Sequence, residues 1–139
     1  MNINTYDRLL DLGFSEKEIE DMKRKFKHTL NISPTKAESV YYKLIEIGLT
    51  RENAHYFLFD TPSIFGKAIS TIENQFNLYQ NIFGLNYLEF IIPKRLLQGY
   101  DTTQKRYVYL KDRIKTLEEM NENLFLGKKQ FKKKFNSDL

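Results

Sequence analysis

The chain has 139 residues, 41% hydrophobic and 29% charged, which suffices for a buried core and is too apolar for a disordered segment. It has no cysteine, which excludes disulfides, thiol catalysis and thiolate metal sites together. The net charge of +4 is unevenly spread: residues 1–93 hold 10 Lys/Arg against 12 Asp/Glu, and residues 94–139 hold 12 against 6, so positive charge collects in the last third.

In chain order, Tyr6–Leu12 carries apolar residues at helical spacing and stops at Gly13, a residue suited to the left-handed position that ends a helix. Ser15 and Glu18 have the spacing of a capping box, and Ile19, Met22 and Phe26 follow on one face. Ser33 before Pro34 marks the next start, and Val40, Tyr41, Leu44 and Ile45 lead to a second glycine, Gly48, with Thr50 as the following cap. Thr61-Pro62 opens a further segment, in which Phe65, Ala68, Ile69, Ile72, Phe76 and Tyr79 form the longest apolar stripe. Gly84-Leu85-Asn86 repeats the joint once more. After Gly99, Tyr107, Leu110, Ile114 and Leu117 predict one final helix at 3-4-3 spacing.

Gly13, Gly48 and Gly84 lie 35 and 36 residues apart, and each precedes an apolar residue and a cap residue. Recurrence of that joint predicts an all-α fold: a short helical-repeat solenoid of helix-turn-helix units with a period of about 35 residues. The expected organisation is a helical-repeat domain over 1–127 and a basic, mobile tail over 128–139. No apolar run approaches the roughly 20 residues of a membrane span. The start, MNINTYDRLLDLG, does not read as a signal peptide. A soluble, cytoplasmic protein with no membrane partner is the expectation.

Catalysis has little to stand on. His28 and His55 are the only histidines, and neither has a carboxylate or histidine at ligand spacing. Glu16, Glu18, Glu20 and Asp21 suit the start of a helix, where carboxylates complement the dipole. No phosphate-cradling or nucleophile-elbow motif occurs. Neither an enzyme, a cofactor, a metal nor a small-molecule substrate is expected.

The basic residues are the stronger candidates. Lys94, Arg95, Lys105, Arg106, Lys111, Arg113 and Lys115, with tail residues Lys128, Lys129, Lys132, Lys133 and Lys134, form a candidate nucleic-acid-binding set. Phe131 and Phe135 are interleaved with the tail lysines as candidate stacking rings for unpaired bases. Lys23, Arg24, Lys25 and Lys27 make a secondary patch that equally suits the C-terminal end of a helix dipole.

The glycine joints Leu9–Gly13 and Leu44–Gly48, the Pro62-x-x-Phe65 segment and Arg106–Lys111 together resemble the mitochondrial transcription termination factor family, over roughly residues 6–111. The resemblance implies a curved helical solenoid that binds nucleic acid along a basic inner surface. The expected function is therefore a regulatory nucleic-acid-binding module acting on DNA or RNA. The alternative is a protein-interaction module, or small inhibitor, that docks on a protein partner through a helical face. Its basis is the content of 11 Phe and 9 Tyr, since such rings anchor interfaces.

Overall fold

A computed structural model describes residues 3–139. Secondary structure among them is wholly helical, with eight α-helices, four short 3-10 turns and no strand. The chain divides into two compact units: one holds residues up to Glu73 together with Ile92–Lys94, the other Asn74–Ile91 and Arg95–Leu139.

The first unit contains α1 (Thr5–Asp11), α2 (Glu16–Lys25), α3 (Pro34–Ile47) and α4 (Arg51–Asp60), with 3-10 turns at Thr29–Asn31 and Pro62–Gly66. Each α-helix starts on a side-chain cap: Asn4, Ser15, Ser33 and Thr50 accept from the N–H groups of Asp7, Glu18, Lys36 and Asn53. Each oxygen satisfies a donor that the first turn leaves without a partner. Ser15 and Glu18 close the full capping box.

Gly13 and Gly48 end α1 and α3 with φ of 105° and 134°. At the first joint Gly13 N–H donates to Leu10 O and Phe14 N–H to Leu9 O, both at 3.0 Å; at the second Gly48 donates to Ile45 at 3.0 Å and Leu49 to Leu44 at 3.1 Å. Both are paired Schellman closures. The order helix, glycine joint, helix, 3-10 turn thus occurs at 5–31 and again at 34–66. Gly84 also has positive φ, 83°, but makes a single bond to Gln80 O, at 2.8 Å. A 3-10 turn at Tyr87–Phe90 follows it, and Asn86 caps nothing.

The residues beside the joints enter the core. Leu9, Phe14, Ile19, Met22, Leu44, Leu49, Leu58, Ile64 and Phe65 are all buried. Phe14 stacks on the His55 ring, centroids 4.3 Å apart, and meets Phe65 edge-on at 6.4 Å. His55 Nε2 lies 2.8 Å from Glu18 Oε2, while Glu18 Oε1 accepts from Ser15 N–H at 2.9 Å. Burial pushes the Glu18 carboxyl up, but hydrogen bonds from His55 and Ser15 outweigh it and hold the group below its usual value.

Helix α5 (Ile69–Phe83) passes from the first unit into the second. The expected stripe is broken at its start: Phe65 belongs to a 3-10 turn, Ala68 is exposed and Ile69 half-buried, while Ile72, Phe76 and Tyr79 are buried. Thr61 does not cap; its hydroxyl donates to the Asp60 carboxylate.

The second unit adds α6 (Tyr100–Leu110), α7 (Leu117–Leu124) and α8 (Lys128–Phe135). The single final helix expected through Leu117 is two helices, because Thr116 Oγ1 accepts from Glu119 N–H at 3.1 Å and starts α7 afresh. Nor is the segment after 127 a free tail. Residues 128–135 are helical and Phe131 is 0% exposed. Rings of α5 fill the centre: Phe76 meets Tyr79 at 5.9 Å, Tyr79 meets Phe125 at 5.9 Å, and Phe83 stacks on Phe90 at 4.6 Å.

Two expectations follow for stability. A Cβ at Gly13 would meet open space, so Gly13→Val acts through backbone strain alone and costs about 1–3 kcal/mol, Gly13→Asn less, as read from urea midpoints. Because the folded Glu18 pKa is lowered, its contribution is complete above the ordinary carboxylate value and is lost as pH falls through the folded value. Glu18→Gln should therefore lower stability at neutral pH and flatten the loss in acid; parallel curves for both proteins would refute the pairing.

Candidate nucleic-acid interface

The candidate cations fall into three structural classes. Arg106, on α6, is only 3% exposed. Its Nη1 donates to Leu124 O and Gln98 Oε1, each at 3.1 Å, and to Leu126 O at 2.5 Å; its Nε donates to Leu139 O at 2.8 Å. One of these carbonyls, that of Leu124, belongs to the last turn of α7, the negative end of its dipole, and Leu126 lies just beyond that end. The guanidinium also lies over the Phe131 ring, 4.3 Å from its centroid. Burial pushes the Arg106 pKa down, yet an arginine stays charged. Arg106 is thus a structural cation, and its assignment as a phosphate contact is corrected.

Arg95 is half-buried in the same manner. It donates to Phe90 O and to both oxygens of Asn121, and lies 4.5 Å from the Phe125 centroid. Its donors are turned inward, so it too leaves the phosphate-binding set.

The second class is exposed. Lys105, Lys111, Arg113, Lys115, Lys128, Lys129, Lys132, Lys133 and Lys134 all face solvent. Helix α8 arranges its share by periodicity: Phe131 and Phe135, four apart, turn inward, which sends Lys129 and Lys133 to the opposite face with Lys132 and Lys134 on the flanks. Tyr109 of α6 ties the helix down, its hydroxyl donating to Phe135 O at 3.3 Å and its ring 6.1 Å from Phe131. Phe131 therefore cannot stack on a base, which corrects that assignment, and Phe135 is half-buried against Tyr109 at 5.9 Å. Lys132 pairs with Asp138 at 3.1 Å.

The remaining cations, on α6 and in the segment after it, fall in two places. Lys105 and Arg113 flank Val108 and Tyr109 in an open groove of about 530 Å³, Arg113 lying 3.7 Å from the Tyr109 centroid. Lys111 and Lys115 instead border a crevice of about 200 Å³ with Ile82, Tyr107 and Leu117.

The third class lies in the first unit. Lys94 is exposed there. The secondary patch is largely engaged: Lys23 pairs with Glu20 at 3.2 Å, Arg24 with Asp21 at 2.6 Å, and Lys25 donates to Phe59 O at 2.9 Å. Lys27 remains exposed. The Glu18–His55 contact is a pairing of titratable groups that spacing missed, since 37 residues separate the partners, as are the ion pairs Arg8–Glu38 and Lys43–Glu73. Glu18 also completes the cap of α2, which accounts for the pair structurally. No group of His, Asp and Glu among the described residues is arranged to hold a metal ion.

No protein-family model matches the chain, and neither does a curated protein or a solved structure.

Replacing Arg106 tests its structural role. Arg106→Met leaves the carbonyls of Leu124 and Leu126 without that donor in a buried setting, and should cost about 2–4 kcal/mol in chemical denaturation. Lys133→Gln on the exposed face should stay within about 0.5 kcal/mol. Equal midpoints for the two variants would show that Arg106 carries no structural load.

Proposed function

We propose that the chain is a regulatory nucleic-acid-binding module whose contact surface is the lysine face of α8, extended by Lys105 of α6 and Arg113 of the turn that follows it. One observation carries this reading: α8 holds five lysines and no acid within its eight residues, and its buried Phe131 fixes that array on the core. Cations on an ordered helix are placed in register before a partner arrives, so less conformational entropy is lost on binding. The two Schellman joints, each followed by a helix and a 3-10 turn, support the wider reading of a helical-repeat solenoid resembling the mitochondrial transcription termination factors. A cytoplasmic, soluble setting belongs to the same reading.

A protein partner is the second reading, favoured by the groove at Val108, whose side chain is 53% exposed. Its neighbour in the groove, Tyr109, is a ring type that anchors interfaces.

Titration of labelled duplex DNA, single-stranded DNA and RNA at low and moderate salt separates the two. Binding by phosphate contact should weaken with a log–log slope near −0.9 per duplex phosphate neutralised. The double substitution Lys129→Glu, Lys133→Glu should shallow that slope by about 2 while leaving the melting temperature nearly unchanged, because both side chains face solvent. Charge reversal is the right probe, since deleting 128–139 would also remove buried Phe131. Absence of binding to all three at low salt would overturn the reading and leave the protein partner.

A further inference from the structure

The open groove along α6 has a chemistry that phosphate contact alone does not use. Gln104 and Val108, one helical turn apart, form one ridge of it, and Lys105 and Tyr109 form the next. Arg113, in the turn that follows, and Leu139 complete the lining of a space of about 530 Å³, within the range of small-molecule sites. The lining is apolar or aromatic at Val108, Tyr109 and Leu139, and polar or cationic at Gln104, Lys105 and Arg113; none of the six is Asp or Glu. Leu139 is the last residue, and its oxygen is engaged away from the groove's cations, accepting from Arg106 Nε at 2.8 Å. Val108 stays 53% exposed, an apolar surface that an occupant would cover.

Arg113 gives the groove a flat, charged surface. Its guanidinium carbon lies 3.7 Å from the Tyr109 centroid, and its Nη1 donates to Tyr109 O at 2.6 Å, so the plane is held in place. The Tyr109 ring is itself fixed by Phe131 and Phe135, centroids 6.1 and 5.9 Å away, and by its hydroxyl donating to Phe135 O. Arg113 is nonetheless exposed, which leaves the side of the guanidinium turned from Tyr109 open to a second flat group. Aromatic rings and guanidinium planes are the platforms on which unpaired bases stack. The groove is also continuous with the lysine face: Lys134 Nζ lies 5.7 Å from the centroid of Phe135, whose ring packs on Tyr109.

We propose that this groove receives one unstacked nucleobase of a single strand, with Arg113 and Tyr109 as the stacking platform and Val108 as the apolar floor. Lys105 takes the phosphate beside that base, and the Gln104 amide, which both donates and accepts, meets the base edge. The proposal rests on the reading of the chain as a nucleic-acid-binding module and narrows it to single strands, because a base inside a duplex must first be unpaired and unstacked. It also moves stacking from Phe131, which is buried, to a site that solvent reaches. Charge favours a strand over a protein side chain here. A strand brings a phosphate with every base to a rim that holds two cations and no acid, and the lysines of α8 lie beyond it.

The test titrates the full chain with three labelled probes at matched salt: a single-stranded oligodeoxynucleotide, the same strand made abasic, and its duplex. The first two carry the same phosphates and differ only in bases. The single strand should bind about fivefold or more tighter than its abasic form, and the Val108 methyl resonances should shift with the former alone. Arg113→Lys keeps the charge and removes the plane at an exposed site, so the fold is retained. Most of the preference over the abasic strand should then be lost, with the salt dependence unchanged. Equal, salt-dependent binding of all three probes would overturn the base site and leave the lysine-face reading standing. A preference that survives Arg113→Lys intact would overturn it as well, since the base would then stack elsewhere. Binding by none of the three at low salt would overturn both, and the groove would fall to a protein partner.

Discussion

The second unit is organised by a single buried charge. Desolvating a guanidinium is expensive unless its donors are satisfied, and Arg106 meets that demand from three stretches of chain. It engages Gln98 ahead of α6, Leu124 and Leu126 at the end of α7, and Leu139, while its face covers Phe131 of α8. The positions of α6, α7 and α8 are consequently coupled: displacing any of them strips a partner from the cation. Arg95 repeats the device on a smaller scale with Phe90, Asn121 and Phe125. The same demand explains why a lysine would serve poorly at position 106, since a point ammonium lacks the planar fork that reaches several carbonyls while stacking on a ring.

The first unit is organised by backbone rather than by charge. A helix that ends on a left-handed glycine reverses its chain within two residues, and the apolar residue after the glycine is carried back over the helix it leaves. Phe14 and Leu49 are buried for this reason. Their neighbours Ser15 and Thr50 begin the next helix at once, leaving no loop. Gly84 has the left-handed turn without the second closing bond, and the following residue, Leu85, is 91% exposed. Positive φ is thus shared by all three joints, whereas closure and burial of the next residue are confined to two.

Local signals were the legible part of the sequence. The caps at Ser15, Ser33 and Thr50, the capping box and the left-handed glycines depend on residues within a few positions of one another, and the all-α class follows from them. What spacing misread depends on partners remote in sequence. Arg106 and Phe131 look like solvent-facing tail and helix residues until α6 and α8 are brought together, 25 positions apart. Their burial has a trace in the sequence: Phe131 and Phe135 are separated by one helical turn, which marks α8 as amphipathic rather than frayed. The cap at Thr116 was equally readable, because Thr116 and Glu119 have capping-box spacing, yet the 3-4-3 pattern from Tyr107 to Leu117 runs across it.

Burying two arginines also changes what charge counting implies for a partner. Of the twelve cations after residue 93, Arg95 and Arg106 are turned inward, Lys132 is paired with Asp138, and Arg113 leans on Tyr109. The outward field is therefore weaker than the count suggests and is centred on α8. An eight-residue helix is about 12 Å long, which spans only about three to four phosphates along one strand. Contact of that extent belongs to the weak, salt-sensitive regime of non-specific binding, with Kd of about 10⁻⁴ to 10⁻⁶ M at physiological salt. Tighter binding by such a surface requires something beyond the lysine face: Lys105 and Arg113 in the same footprint, or a second copy of the chain. Both alternatives add phosphate contacts at the surface, so each would steepen the salt dependence.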